Sequence, residues 1–268
     1  MALNFHVKQE QPLSAKPVLL EVKDGVALVT LNRPPVNALN RAMRRELISI
    51  FDSISERDDV RCAVLTGSGT VFCAGADLKD RPSQDVAGDF LEHNRVTRET
   101  GNSIKECTKP VIAAVNGTAL GAGMGLAAAC DILYASSNAT FGMPEINVGL
   151  AGGASMLKTL LGRSTMRRMF FTGQRLTAQE MLKRNVLEDV LEPEELLPVV
   201  MDLAREIASK APLALIYAKR AANMVDLMPQ RDAYRFEQEF TMALAKTEDA
   251  KEARMAFLEK RAPVFKGR

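Results

Sequence analysis

The chain has 268 residues, 47% of them hydrophobic and 25% charged, with 4 Cys, 2 His and no Trp. That apolar fraction supports a sizeable core and excludes a disordered chain. The net charge of +2, from 35 basic against 33 acidic residues, supplies no field to recruit nucleic acid or an anionic membrane, so neither is an expected partner.

His6 and His93 are the two histidines, and neither stands in a nucleophile motif, which leaves a Ser-His or Cys-His mechanism little to recruit. Cys62, Cys73, Cys107 and Cys130 lack any C-x-x-C pairing. Reduced structural thiols are expected in place of a metal site or a disulfide framework. Residues 1–16 carry His6, Lys8, Gln9, Glu10 and Gln11 where a signal peptide needs an unbroken apolar run, so the expected location is cytoplasmic.

In chain order, Val18 to Val22 and Val26 to Leu31 read as strands joined by the hairpin signal Asp24-Gly25, and Asn32-Arg33-Pro34-Pro35 ends the second. Met43, Leu47, Ile48, Phe51 and Ile54 recur at helical spacing and predict a helix over residues 41–57. Cys62 to Thr66 is a buried strand closed by Gly67-Ser68-Gly69. Leu78 to Glu106 is polar with no continuous apolar face, and predicts a mobile, partly helical loop of the kind that covers sites.

Val111 to Cys130 holds no charge over a membrane-spanning length, yet Pro110 precedes it and Asn116-Gly117 interrupts it. A buried strand, a glycine-rich turn and a buried helix fit that grain better. Ile132 to Ala135 is another strand, and Thr177-Ala178-Gln179-Glu180 is a capping box. Helices are predicted near residues 196–209, 213–223, 231–245 and 248–261. The order gives an α/β fold: a core over residues 1–200, then a helical C-terminal segment over 201–268 that packs on it and serves oligomerisation.

Two segments each read as strand, small-residue turn and helix start: Val71-Phe72-Cys73-Ala74-Gly75-Ala76-Asp77-Leu78-Lys79 and Asn116-Gly117-Thr118-Ala119-Leu120-Gly121-Ala122-Gly123-Met124. Small residues leave backbone N–H groups accessible, and two aimed at one point form an oxyanion hole. A third, Phe141-Gly142-Met143-Pro144-Glu145, adds a carboxylate on a Pro-stiffened apolar loop, where desolvation would raise its pKa toward that of a general base. The competing reading has Glu145 capping a helix or pairing with Arg163 or Arg167. By the same reasoning Asp77 caps the following helix.

These three segments together resemble the crotonase superfamily, the enoyl-CoA hydratase/isomerase family, and the likeness extends from Val26 to Arg261. It implies a crotonase-like spiral of repeated β-β-α units and an acyl-CoA substrate, with no cofactor beyond the coenzyme A that enters with it. It also implies a homo-oligomer, a trimer or dimer of trimers. By residue matching, the Ala76 and Ala122 N–H groups hold the thioester oxygen, Glu145 moves protons, and Gly75, Asp77, Leu78, Gly121 and Gly125 line the site. Arg33, Lys79, Phe257 and Lys260 reach CoA, the last two from a neighbouring subunit. The chain departs from the hydratase pattern at Gly125, where a first glutamate is expected. One carboxylate suits double-bond migration more readily than addition of water. The alternatives are a hydroxycinnamoyl-CoA hydratase-lyase-like enzyme, with Tyr134, Tyr217 or Tyr234 near a phenol, and a non-catalytic acyl-CoA- or RNA-binding relative with a patch at Arg163, Arg167, Arg168 and Arg175.

Overall fold

A computed structural model describes residues 16–268; His6 and the leader reading of residues 1–16 fall outside it, apart from Lys16. The hairpin forms as expected: β1 (Val18–Lys23) pairs antiparallel with β2 (Val26–Leu31), and Asp24 and Gly25 turn with positive φ. After α1 (Arg41–Glu56) the chain returns as β3 (Cys62–Gly67), parallel to β2. β4 (Val111–Val115), β6 (Ile132–Ser136) and β9 (Asp189–Leu191) extend the sheet in parallel, giving the order β1-β2-β3-β4-β6-β9. A second sheet of β5 (Ala119–Leu120), β7 (Thr140–Gly142) and β8 (Arg175–Thr177) stands beyond the ends of β4 and β6.

Parallel strands buried on both faces read as continuous apolar runs, and alternate residues serve opposite layers. Ala27, Val29, Leu31, Ala63, Leu65, Val111, Ala113 and Val115 join Met43, Leu47, Phe51 and Ile54 of α1 in the larger core. On the opposite face, Val26, Cys62, Val64, Ile112 and Ala114 meet Leu196, Val200, Ala204 and Ala208 of α7 (Pro193–Ala208).

The region from Leu78 to Glu106 departs from the expected loop. Residues 89–105 form a 17-residue helix, α2 (Asp89–Lys105), which lies against α1. Its buried stripe is Thr100, Gly101 and Ile104, too small and polar to register as an apolar face. Charge fixes its start: Arg41 Nη1 pairs with Asp89 Oδ1 at 2.6 Å and Glu92 Oε2 at 3.2 Å, and Asp89 Oδ2 accepts the Ser83 N–H at 2.7 Å.

Val111 to Cys130 folds as β4, β5 and the short α3 (Ala122–Ala128). No helix among the described residues is long and apolar enough to cross a membrane. The capping box at Thr177 and Glu180 opens α6 (Ala178–Leu182). Two helices that the sequence reading leaves out, α4 (Ala154–Leu160) and α5 (Arg163–Thr172), precede β8.

The C-terminal helices are α8 (Pro212–Val225), α9 (Gln230–Leu244) and α10 (Glu248–Glu259). Lys219 on α8 is buried, pairs with Asp131 at 2.9 Å, and donates to the Ile104 and Lys109 carbonyls, which ties α8 to the start of β4. Tyr217 stacks on Phe240 with centroids 5.0 Å apart, Tyr234 is exposed, and Tyr134 packs beside the α7 layer. These are packing or surface positions. All four cysteines are buried and free, and burial pushes Cys73 up to about 11 and Cys62 up to about 12, as expected of inert thiols.

Candidate active site

Three loops converge beyond the carboxyl ends of the parallel strands, where open α/β sheets generally place their ligands. The Cys73 N–H donates to the Thr118 carbonyl at 3.0 Å, the Leu120 N–H to the Cys73 carbonyl at 3.0 Å, and the Gly121 N–H to the Gly142 carbonyl at 2.8 Å. Packing this close requires glycine: a Cβ on Gly123 would overlap the Cys73 carbonyl and lie 2.8 Å from its Cβ.

Residues 71–79 do not form the strand-turn-helix expected of them. Isolated bridges, Leu39 to Ala76 and Cys73 to Ala119, hold the segment, and no helix begins between residue 71 and Asp89. Leu39 donates its N–H to the Gly75 carbonyl at 2.8 Å and accepts from the Asp77 N–H at 2.9 Å. Those bonds use the groups flanking Ala76 and leave its own N–H with no backbone acceptor among the described residues. Ala122 is the first residue of α3, so its N–H is one of the donors that a helix leaves unsatisfied. A Cβ built on Gly75 would stand 3.7 Å from the Ala122 nitrogen, which sets the two turns side by side.

Glu145 reaches the same point from a short 3-10 turn, Pro144–Val148, which follows β7. Its carboxyl rests against Gly121: a Cβ there would overlap Oε1 and lie 3.2 Å from Cδ. Oε2 is buried with no hydrogen-bond partner among the described residues. Burial raises the carboxyl's pKa above the ordinary value. Arg163 and Arg167 are exposed and make no ion pair with Glu145, so the reading of a capped or paired surface carboxylate does not hold.

The residues expected around this centre divide. Asp77 caps a turn, not a helix, accepting the Lys79 N–H at 2.9 Å, and it pairs with Arg33 at 2.6 Å. The Lys79 N–H and the Arg33 guanidinium both hold its carboxyl below the usual range. Arg33 also donates to the Ala38 carbonyl at 2.8 Å, so it braces the backbone that carries Ala76. Leu78 and Lys79 are exposed on the same loop. Phe257 is 82% exposed on α10 and Lys260 ends that helix with φ of 54°; no described hydrogen bond or ion pair joins either to the loops at Ala76, Ala122 or Glu145.

Gly125 faces Met156 of α4, whose Sδ would lie 2.7 Å from a Cβ on the glycine. Behind it is a small cavity of about 30 Å³ lined by Arg44, Thr97, Thr100, Ala122, Gly125 and Met156, among others. Sequence reasoning passed over Arg44, Thr97 and Met156. Arg44 carries a readable signal, because it stands three, seven and ten residues before Leu47, Phe51 and Ile54 and so interrupts the buried stripe of α1 with a charge.

The geometry offers two adjoining N–H donors and one desolvated carboxyl, a set suited to moving a proton beside a carbonyl whose oxygen gains charge. Residues 21–268 match the family model described as enoyl-CoA hydratase/isomerase. The chain is 37% identical to the 2,3-dehydroadipyl-CoA hydratase of Escherichia coli K12, covering 94% of this chain and 99% of that one. It is 37% identical to a short-chain-enoyl-CoA hydratase of Clostridium acetobutylicum, covering 91% and 95%. A crystal structure of an enoyl-CoA hydratase from Bacillus anthracis superposes with a TM-score of 0.88 at 32% identity, over 94% of this chain and all of that one.

Proposed function

Since the chain belongs to the enoyl-CoA hydratase/isomerase family of acyl-CoA enzymes, we propose that it forms a thioester enolate at the Ala76 and Ala122 N–H groups, with Glu145 as its single proton shuttle. The observation that carries this reading is the buried, unpartnered Oε2 of Glu145, set against the turn that ends in the Ala122 N–H.

In this scheme the carboxylate of Glu145 removes an α-proton from the acyl chain, and the bonding pair shifts onto the thioester oxygen. Two N–H donors aimed at that oxygen stabilise the charge where it develops; removing one such donor typically costs about 2.7 to 4 kcal/mol of barrier. In a 3-enoyl thioester the pair then returns through the conjugated system, and protonated Glu145 delivers its proton at the γ-carbon, which gives the 2-enoyl product. Every atom is accounted for without metal or redox group, and CoA enters with the substrate. At Gly125, where the resemblance to hydratases implies a first glutamate, the chain carries no side chain and faces Met156; a single carboxylate favours this one-base migration over hydration.

Arg33 and Lys79 are proposed to border the CoA nucleotide, with Arg33 also holding Asp77 and the Ala76 loop in place. Phe257 and Lys260 would reach that ligand from a neighbouring subunit of a homo-oligomer, since both face outward here.

Solvent deuterium exchange into the α-carbon of a saturated acyl-CoA reads enolate formation directly. Exchange is expected in the wild type and its loss in Glu145→Gln; full exchange in that variant overturns the assignment. Product analysis with cis-3- and trans-2-enoyl-CoA then separates isomerisation from hydration.

A further inference from the structure

Arg44 is 4% exposed, yet none of the described carboxylates forms an ion pair with it, and its guanidinium makes no hydrogen bond to a described residue. A buried cation is ordinarily paired, because losing its hydration is costly. The nearby acids are engaged elsewhere. Asp80 accepts the Arg41 backbone N–H, while Asp89 and Glu92 pair with the Arg41 side chain. Burial lowers the guanidinium's pKa against the opposing attraction of Asp80, and the group stays cationic at any working pH.

The cation lines a cavity together with Ala122 and Gly125, beside the N–H proposed to hold the thioester oxygen. Thr97 of α2 lines the same cavity, and its buried Oγ1 has no hydrogen-bond partner among the described residues. The cavity's roughly 30 Å³ holds about two water-sized groups, the footprint of two carboxylate oxygens.

We propose that Arg44, with Thr97, is an anion-binding subsite for a carboxylate carried on the acyl chain, so that the preferred substrate is a dicarboxylic acid monothioester of CoA. The proposal rests on the acyl-CoA reading above. It also gives Gly125 a reason: a glutamate there would face Arg44 and occupy the site of the substrate's own carboxylate.

Binding of unreactive thioesters tests the subsite apart from catalysis. Succinyl-, glutaryl- and adipyl-CoA are titrated by calorimetry against butyryl-, pentanoyl- and hexanoyl-CoA, which match them in chain length. At least one carboxylated ligand should bind tenfold or more tightly than its neutral partner. Arg44→Met should bring that ratio near one, and Arg44→Lys should keep part of it. If Arg44→Met does not fold, Thr97→Val takes its place and should lower the ratio at least threefold. Tight binding of both series with ratios near one in the wild type overturns the subsite and leaves the acyl-CoA reading intact. A ratio unmoved by both Arg44→Lys and Thr97→Val also overturns it. Failure of every acyl-CoA to bind overturns both readings.

Discussion

Gly121 and the Glu145 carboxyl share a volume that admits no Cβ: one built on the glycine overlaps Oε1 and lies 3.2 Å from Cδ. The turn that presents the Ala122 N–H and the proposed base are therefore in direct contact. Gly121 also sits at φ 53°, ψ −121°, a conformation that L side chains rarely adopt. Gly121→Ala should displace the carboxyl and strain the turn by about 1–3 kcal/mol. Misplacing a catalytic group by an ångström can cost about 100-fold, so α-proton exchange should fall by that order while circular dichroism still reports a folded chain.

Glu145→Gln separates the chemistry of the carboxyl from its cost to the fold. Turnover should drop by about 10²- to 10⁴-fold, the usual contribution of a positioned base. Burial raises this carboxyl's pKa in the fold above its unfolded value. Its ionised form therefore costs stability once the pH exceeds the unfolded pKa, and that cost disappears as the group protonates. The variant should melt at a higher temperature than wild type at pH 8, and the two should converge toward pH ~4, near the ordinary glutamate pKa. Wild-type turnover should fall as the pH drops through the raised pKa. A lower melting temperature for the variant at pH 8 would mean that Glu145 is not desolvated.

Much of the fold is legible in the sequence because the central strands β3 and β4 are buried on both faces and bounded by turn residues. The strands at Val26, Cys62 and Val111, and the helix at residue 41, are read from local pattern alone. The failures share a cause: their signals are tertiary. α2 buries Thr100 and Gly101, and its register is fixed by Arg41, which lies 48 residues before Asp89. At Ala76 the small residues are legible, but the isolated bridge to Leu39 that turns its N–H outward is not. Asn37 is a further omission. It is fully buried and donates to the Ser68 and Val71 carbonyls, holding the loop that leads to Ala76. The second sheet escaped because two of its strands are three residues and the third only two.

Ala122→Pro removes a proposed donor at a tolerant place. As the first residue of α3, Ala122 stands where proline is well accommodated, because the N–H lost there makes no helical bond. Thermal stability should change by less than about 1 kcal/mol. Turnover should fall by about 10²- to 10³-fold, the usual loss when an oxyanion donor is removed. Unchanged turnover in a folded Ala122→Pro enzyme would exclude this N–H from the reaction.

Gly125→Glu tests what the glycine leaves open. The new Cβ would meet Met156 Sδ at 2.7 Å, and the flexible thioether must move. Overpacking of this kind typically costs about 1–3 kcal/mol. The added carboxylate would, however, enter the cavity that Arg44 lines, and pairing with that buried cation would offset part of the cost. Arg44→Met, Gly125→Glu and the double variant form a thermodynamic cycle that isolates this term. The double variant should be less stable than the sum of the singles by about 1 kcal/mol or more, because Arg44→Met withdraws the partner that Gly125→Glu acquires. Additivity within about 0.5 kcal/mol in denaturant titrations would show that the guanidinium does not face the acyl path at residue 125.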